Sequence, residues 1–216
     1  MRPVGPSPLR VRTRETRQAG TVPGMDLPDH GLTVFAIGHS TRSLDELVAL
    51  LRHHGVARVV DVRSLPRSRH NPPFDREALP VDLPERGIAY VHAPGLGGFR
   101  HVRLDSVNTG LRHPGFRGYA DYMGTDSFGA TLDELVRGAV AALPSLTTVM
   151  CAEGSPFRCH RRLLADALTV HGVRVLHITS MAEPHVHELS ADADWDGHHL
   201  TYPSGPSGQD ALTLFD

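Results

Sequence analysis

Apolar and polar positions follow two alternating rhythms along this chain. Residues 33–37 (TVFAI) form a short run of apolar and β-branched side chains, the mark of a strand buried on both faces. After the turn Gly38-His39-Ser40-Thr41, residues Leu44, Leu47, Val48 and Leu51 recur at helical spacing. Ser43 with Glu46 three positions on makes a capping-box pair, and Gly55 supplies the stop. The alternation continues through strand 58–62 (RVVDV), a helix near 75–79, strand 87–93 (GIAYVHA) and one or two helices between 120 and 143. Strand 147–151 (TTVMC), the helical pattern LLADALTVHG and strand 173–178 (VRVLHI) complete the series. Strands separated by helices predict an α/β fold: a single doubly wound, mostly parallel sheet of about five strands with helices on both faces.

The flanks lack this rhythm. Residues 1–31 are rich in Pro, Gly and Arg and predict a disordered arm, with Met25 as an alternative start. Residues 32–180 carry the α/β domain. Residues 181–216 hold seven acidic residues, several histidines and no arginine, and read as an acidic, His-rich tail or a strap over the domain. Inside the domain, the glycine-bearing stretch 95–123 is long for a connection, which marks it as functional or partly helical.

Composition narrows the setting. A length of 216 residues suits one well-buried domain with appendages. No apolar run approaches the roughly 18 residues that span a bilayer, and no apolar stretch follows the N-terminal arginines as in a secretory signal. Two cysteines, close together, make no disulfide framework, so a cytoplasmic protein without a membrane partner is expected. All 22 basic residues are arginines. That usage suits bidentate capture of phosphates or carboxylates. It also suits a GC-rich genome, so position rather than number must locate a site.

Position points to residues 147–162, TTVMCAEGSPFRCHRR. In an open α/β sheet, ligands bind outside the carboxyl ends of the strands, beside the first turns of the following helices. The turn after strand 147–151 carries Cys151, Glu153, Cys159, His160 and Arg161. Cys159, close to a helix N-terminus, is a candidate nucleophile with a lowered pKa. His160 is a candidate acid or base, Glu153 a candidate acid–base or attacking carboxylate, and Arg161 an anion ligand. Cys151 is either a ligand-binding residue or a small buried apolar one. The Cys-x7-Cys-His run lacks the paired spacing of a structural zinc site, so no metal set is assigned.

Three further groups belong to the same rim. Asp61 lies near the carboxyl end of its strand and is a candidate catalytic carboxylate or an anchor for the next loop. Arg63, Arg67 and Arg69 alternate through that Pro-rigidified loop and suit a polyanion. His39 follows the first strand, as a ligand or as a tie for its turn. Tyr119 and Tyr122 are helical neighbours that either stack on a base or pack in the core. GLGG at 95–98 lacks the lysine-bearing pattern of a phosphate loop.

The motifs AIGHSTRSLDELVALLRHHGVARVVDVRSLPRSRHNPPF, GLGGFR, FRGYADYM and MCAEGSPFRCHRRLLADAL occur here in order, and over about 34–178 the chain resembles the bacterial domain of unknown function 488. The resemblance implies a fold and an order of motifs, and no catalytic residue. A looser likeness of layout links VVDVR and the strand–Cys–loop–helix unit to rhodanese-type sulfurtransferases and cysteine phosphatases. Cys151 and Arg158 are one residue further apart than the phosphatase signature has them, and Glu153 puts a negative charge where an anion would sit. The likeness is architectural.

These residues predict an enzyme acting on a phosphate-bearing small molecule, nucleotide or nucleic acid. The arginine loop would hold the phosphate, and Glu153, Cys159 or His160 would carry the acid–base or nucleophilic step. Two other readings stay open. One is a non-catalytic nucleotide or nucleic-acid binding module; the other is a metal-dependent or thiol-based redox or sulfur-transfer protein. No cofactor and no oligomeric state follow from the sequence.

Overall fold

The structure is a computed structural model that describes residues 31–67 and 72–205. The arm 1–30, Arg69 and the end of the tail lie outside the described residues. The elements run β1 (Leu32–Gly38), α1 (Leu44–His53), β2 (Val56–Asp61), α2 (Leu79–Glu85), β3 (Ala89–His92), α3 (Pro114–Met123), α4 (Asp126–Ala141), β4 (Leu146–Cys151), α5 (Arg161–Val170) and β5 (Val173–Ile178). Three short strands follow: β6 (His185–Val186), β7 (Asp194–Trp195) and β8 (Leu200–Thr201).

The main sheet has the order β3-β2-β4-β1-β5-β6. Its first five strands are parallel, as expected, and β6 adds an antiparallel edge to β5. β1 shows why the sheet is covered on both faces. Val34 and Ala36 join a core with α3, α4 and α5, while Phe35 and Ile37 join another with α1 and α2. A period of two along a strand sends alternate side chains to opposite faces, so one apolar run feeds both cores.

Local chemistry sets the helix limits. The Ser43 hydroxyl accepts the Glu46 N–H at 3.2 Å, and the Glu46 carboxylate accepts the Ser43 N–H at 2.7 Å. This reciprocal cap fixes the start of α1. Ser43→Ala is expected to lower stability by about 1 kcal/mol, read from a shift in the urea midpoint at constant slope. The helix expected near 75–79 lies later, at Leu79–Glu85, because a turn of 3-10 helix at Pro72–Phe74 intervenes. Pro80 sits in its first turn, where a missing N–H costs no hydrogen bond.

From Met181 to Gly205 the chain crosses the domain as a strap. His187 N–H bonds the Val175 carbonyl at 2.8 Å, and Tyr202 N–H bonds the Asn108 side chain at 2.9 Å. Both the His187 ring and the Tyr202 hydroxyl end on the Asp166 carboxylate of α5, which is fully buried. The long segment 97–113 is pinned by another carboxylate. Asp121 accepts Arg103 N–H, the Ser106 hydroxyl and the Asn108 amide at 2.6–2.9 Å.

The order of strands fixes where a site can form. After β1 the chain moves to β2 and β3; after β4 it crosses to β5 on the other side. β1 and β4 are neighbours, so the loops leaving their carboxyl ends diverge and leave a crevice between them.

Candidate functional site

The crevice is a cleft of about 740 Å³. Its floor is built where β1 and β4 end. His39 N–H bonds the Cys151 carbonyl at 2.9 Å, and Ser40 N–H bonds the Ala152 carbonyl at 2.8 Å, which carries the pairing past both strand ends. Gly38 closes β1 because nothing larger fits: a Cβ there would overlap the Glu153 carbonyl and meet the Arg161 guanidinium. Arg161 passes beneath this point and donates to that same carbonyl.

Two thiols meet on the floor. The 3-10 turn Pro156–Arg158 folds the chain back, so that the Cys159 Sγ lies 3.1 Å from the Cys151 Sγ. The Cys159 sulfur also accepts the Arg161 N–H at 3.5 Å, and the His160 Nδ1 lies 3.6 Å from it. Hydrogen bonding from Cys151 is the largest influence on Cys159. Together with the Arg161 charge and backbone N–H it outweighs burial and lowers the Cys159 thiol to about 6. Cys151 moves the opposite way, to about 12, because its proton is held in that hydrogen bond and because it is buried. The shared hydrogen bond and the Arg161 charge thus favour the thiolate on Cys159 and the proton on Cys151.

Arg161 explains much of this asymmetry. It is 1% exposed, and among the described residues no carboxylate pairs with it. Burying a cation without a counter-charge costs several kcal/mol, so the adjacent thiolate and the guanidinium stabilise each other.

The expected site residues separate into two sets. His39, Arg63, Arg67, Cys151, Glu153, Cys159 and His160 all line the cleft. Asp61 and Arg63 are committed to each other. Asp61, fully buried, accepts Arg63 Nε at 2.9 Å, an Arg63 terminal nitrogen at 2.6 Å and the Tyr90 hydroxyl at 2.9 Å. Arg63 also reaches the Phe74 carbonyl at 2.9 Å and the His39 Nε2 at 3.2 Å. Arg67 stands exposed at the rim. Tyr119 is fully buried, with its hydroxyl on the Leu96 carbonyl at 3.0 Å and its ring edge-on to His160 at 5.1 Å. Tyr122 lies under the Arg100 guanidinium at 3.7 Å. Neither tyrosine lines the cleft, so neither is placed to stack on a base there.

Some contributors left little trace in the sequence. Gly98 lies against the His160 ring, which a Cβ would overlap, so part of the GLGG stretch packs the site rather than cradling phosphate. Leu65, Phe99 and Phe157 stand exposed around the mouth, with Arg158 beside them. Aromatic residues in Gly- and Pro-rich turns, at GGF and SPF, were the available signal.

His39 stacks on Phe74 with ring centroids 4.2 Å apart and bonds the Ser40 carbonyl through Nδ1 at 3.0 Å. Burial, then the Arg63 charge, lowers its pKa to about 4. His177 on β5, bonded through Nε2 to His187 at 3.0 Å, is also lowered to about 4, by burial and then by His187. In the unfolded chain both take up a proton near 6.5. The unfolded state thus binds more protons between these values, and stability is full above about pH 6.5 and falls as the pH drops toward 4. Thermal midpoints measured across that window are expected to decline, and to decline less steeply for His39→Gln.

The Cys151, Cys159 and His160 donor atoms all lie within 4.8 Å of one another, which is ligand spacing for a metal ion. No helix among the described residues is long and apolar enough to cross a membrane.

No curated protein and no solved structure matches the chain. A family model described as Domain of unknown function DUF488 matches residues 43–168, a span that runs from the cap of α1 into α5 and takes in both thiols, His160 and the Asp61–Arg63 pair. The chain belongs to the DUF488 family.

Proposed function

We propose that the protein is a thiol–disulfide oxidoreductase in which Cys159 is the nucleophile and Cys151 the resolving thiol. The observation that supports this reading is the pair of sulfurs 3.1 Å apart on the cleft floor, one lowered to about 6 and the other raised to about 12. The Cys159 thiolate attacks one sulfur of a disulfide, forms a mixed disulfide and expels the other half as a thiolate. Capping Cys159 removes the negative charge that held the Cys151 proton. Cys151 then loses that proton, with the His160 ring beside it as acceptor, and attacks the Cys159 sulfur. The second half of the substrate leaves as a thiolate, and the protein keeps a Cys151–Cys159 disulfide. Two electrons pass from the dithiol to the substrate, and an external dithiol restores the starting state.

The phosphate reading draws less support. Arg63, the arginine nearest the strand end, is spent on Asp61, and Glu153 adds negative charge to the same cleft. Base stacking on Tyr119 and Tyr122 is disfavoured by their placement. A second reading, a Cys2His metal centre with its open position toward the cleft, is favoured by the 4.8 Å clustering of the three donors.

One set of experiments separates the two. Reduced protein treated with the aromatic disulfide dithiobis-nitrobenzoate is expected to release two equivalents of coloured thiolate and to end as an internal disulfide by mass. Cys151→Ser is expected to release one and to retain the mixed disulfide on Cys159. Two stable adducts on the native protein would overturn the redox reading. Stoichiometric metal in tag-free protein, lost in Cys159→Ser, would replace it with the metal centre.

A further inference from the structure

The mouth of the cleft carries chemistry that the dithiol itself does not use. Phe99 is 83% exposed, Phe157 76% and Leu65 64%, and all three line the opening with Phe116. Apolar side chains gathered around one opening gain free energy when something covers them, which marks a binding surface. Arg67 and Arg158 stand among them, and among the described residues neither has an acidic partner. Among the described residues Glu153 is the single carboxylate of the lining, since Asp61 is buried behind Arg63. At the rim two guanidinium groups stand against one described carboxylate, and the negative charge favoured on Cys159 at the floor has the Arg161 charge beside it, so the mouth is net cationic. Arg63, neutralised by Asp61, does not add to that charge.

Depth supplies the second constraint. Cys159 is 3% exposed and Cys151 6%, at the bottom of a space of about 740 Å³. A disulfide lying flush in the surface of a folded protein cannot reach that floor. A compact molecule of drug-like size can, with its body against the phenylalanines and its charges at the rim.

On this basis, and resting on the dithiol reading above, we infer that the site takes low-molecular-weight disulfides that combine an apolar or aromatic body with carboxylate groups. The chemistry is that already written: Cys159 bonds to one substrate sulfur, the S–S bond breaks, and two carboxylate-bearing thiolates leave in turn. The mouth selects the substrate, with the apolar side chains covering its body and Arg67 and Arg158 drawing and orienting its carboxylates.

The test compares three disulfides of different charge: dithiobis-nitrobenzoate (aromatic, dianionic), dithiodipyridine (aromatic, neutral) and cystamine (aliphatic, dicationic). Each rate with reduced native protein is divided by the rate of the same disulfide with a small free thiolate, which removes intrinsic reactivity. The normalised rate for the dianion is expected to exceed that of the neutral aromatic about tenfold at low salt, and that of cystamine by more. The excess should shrink as salt screens the rim. Arg67→Ala combined with Arg158→Ala is expected to bring the dianion down to the neutral compound, whereas Arg137→Ala, on the outer face of α4, should leave the ratio unchanged. Phe99→Ala with Phe157→Ala should slow both aromatic compounds and spare cystamine. Equal normalised rates for the three, or an arginine pair without effect, would overturn the inference while leaving the dithiol mechanism intact. Absence of an internal disulfide with every compound would instead overturn the mechanism.

Discussion

Cys159→Ser is expected to slow the reaction with disulfides at neutral pH by at least about a thousandfold, with the fold unchanged. The size follows from ionisation. In the proposed mechanism the attacking species is the Cys159 thiolate, which the hydrogen bond from Cys151 and the Arg161 charge favour. A serine hydroxyl in the same place has almost no alkoxide to offer. The native rate should therefore rise with pH along a curve whose midpoint is that of Cys159, near pH 6, and thiolate ultraviolet absorbance should titrate with it. Removing the donor thiol by Cys151→Ala should move that midpoint upward, since the hydrogen bond from Cys151 is the largest influence lowering it. Cys151→Ser, which keeps a donor, should move it less. A Cys159→Ser protein that still reacts, beside a Cys151→Ser protein that does not, would exchange the two roles.

Much of this arrangement was legible because it depends on local rules. The capping box at Ser43 and Glu46, the period-two burial of β1 and the stop at Gly55 follow from steric and hydrogen-bonding preferences within a few residues. The rim could also be anticipated, since parallel strands carry their carboxyl ends to one side. What escaped depends on where distant segments meet. Seven residues between Cys151 and Cys159 fix no separation; only the 3-10 turn at Pro156–Arg158 brings the sulfurs to 3.1 Å. Arg161 was expected as an anion ligand, and it lies buried beneath Gly38, acting on the thiolate from behind. That role needs β1 beside β4, an order of strands that periodicity alone cannot reveal. Tyr119 had a helical spacing equally suited to a core and to a binding face. The meeting of α3 with α4 and α5 decided between them.

Arginine usage shows the same limit. With no lysine present, every cation of the loop after β2 was a candidate for the ligand. Arg63 and Arg67 are four residues apart, and one is buried on a carboxylate while the other stands exposed at the mouth. The difference is made by Asp61, Tyr90 and Phe74, which come from three separate segments.

Asp61→Ala is expected to cost about 3–5 kcal/mol of folding stability, more than any surface change in the molecule. The carboxylate is fully buried and satisfies four donors: Arg63 Nε, an Arg63 terminal nitrogen, the Arg63 backbone N–H at 3.1 Å and the Tyr90 hydroxyl at 2.9 Å. Deleting it leaves a guanidinium that is 7% exposed with, among the described residues, the Phe74 carbonyl and the His39 ring as its remaining side-chain partners. The loss is dominated by the stranded cation rather than by the missing attraction, so a double replacement should do better than the single one. Asp61→Leu with Arg63→Met exchanges the ion pair for apolar groups of similar size and should recover most of the stability. Urea midpoints of the three proteins, at unchanged slope, measure this directly. The thiol titration adds an independent readout. Cys159 is held near 6 by Cys151 and Arg161, on β4 and α5, and its midpoint should survive the loss of Asp61 even as the mouth loosens. A double variant less stable than Asp61→Ala would mean that the carboxylate and the guanidinium act separately. A thiol midpoint that follows Asp61 would place this buried pair within the electrostatics of the reaction, not only beneath its scaffold.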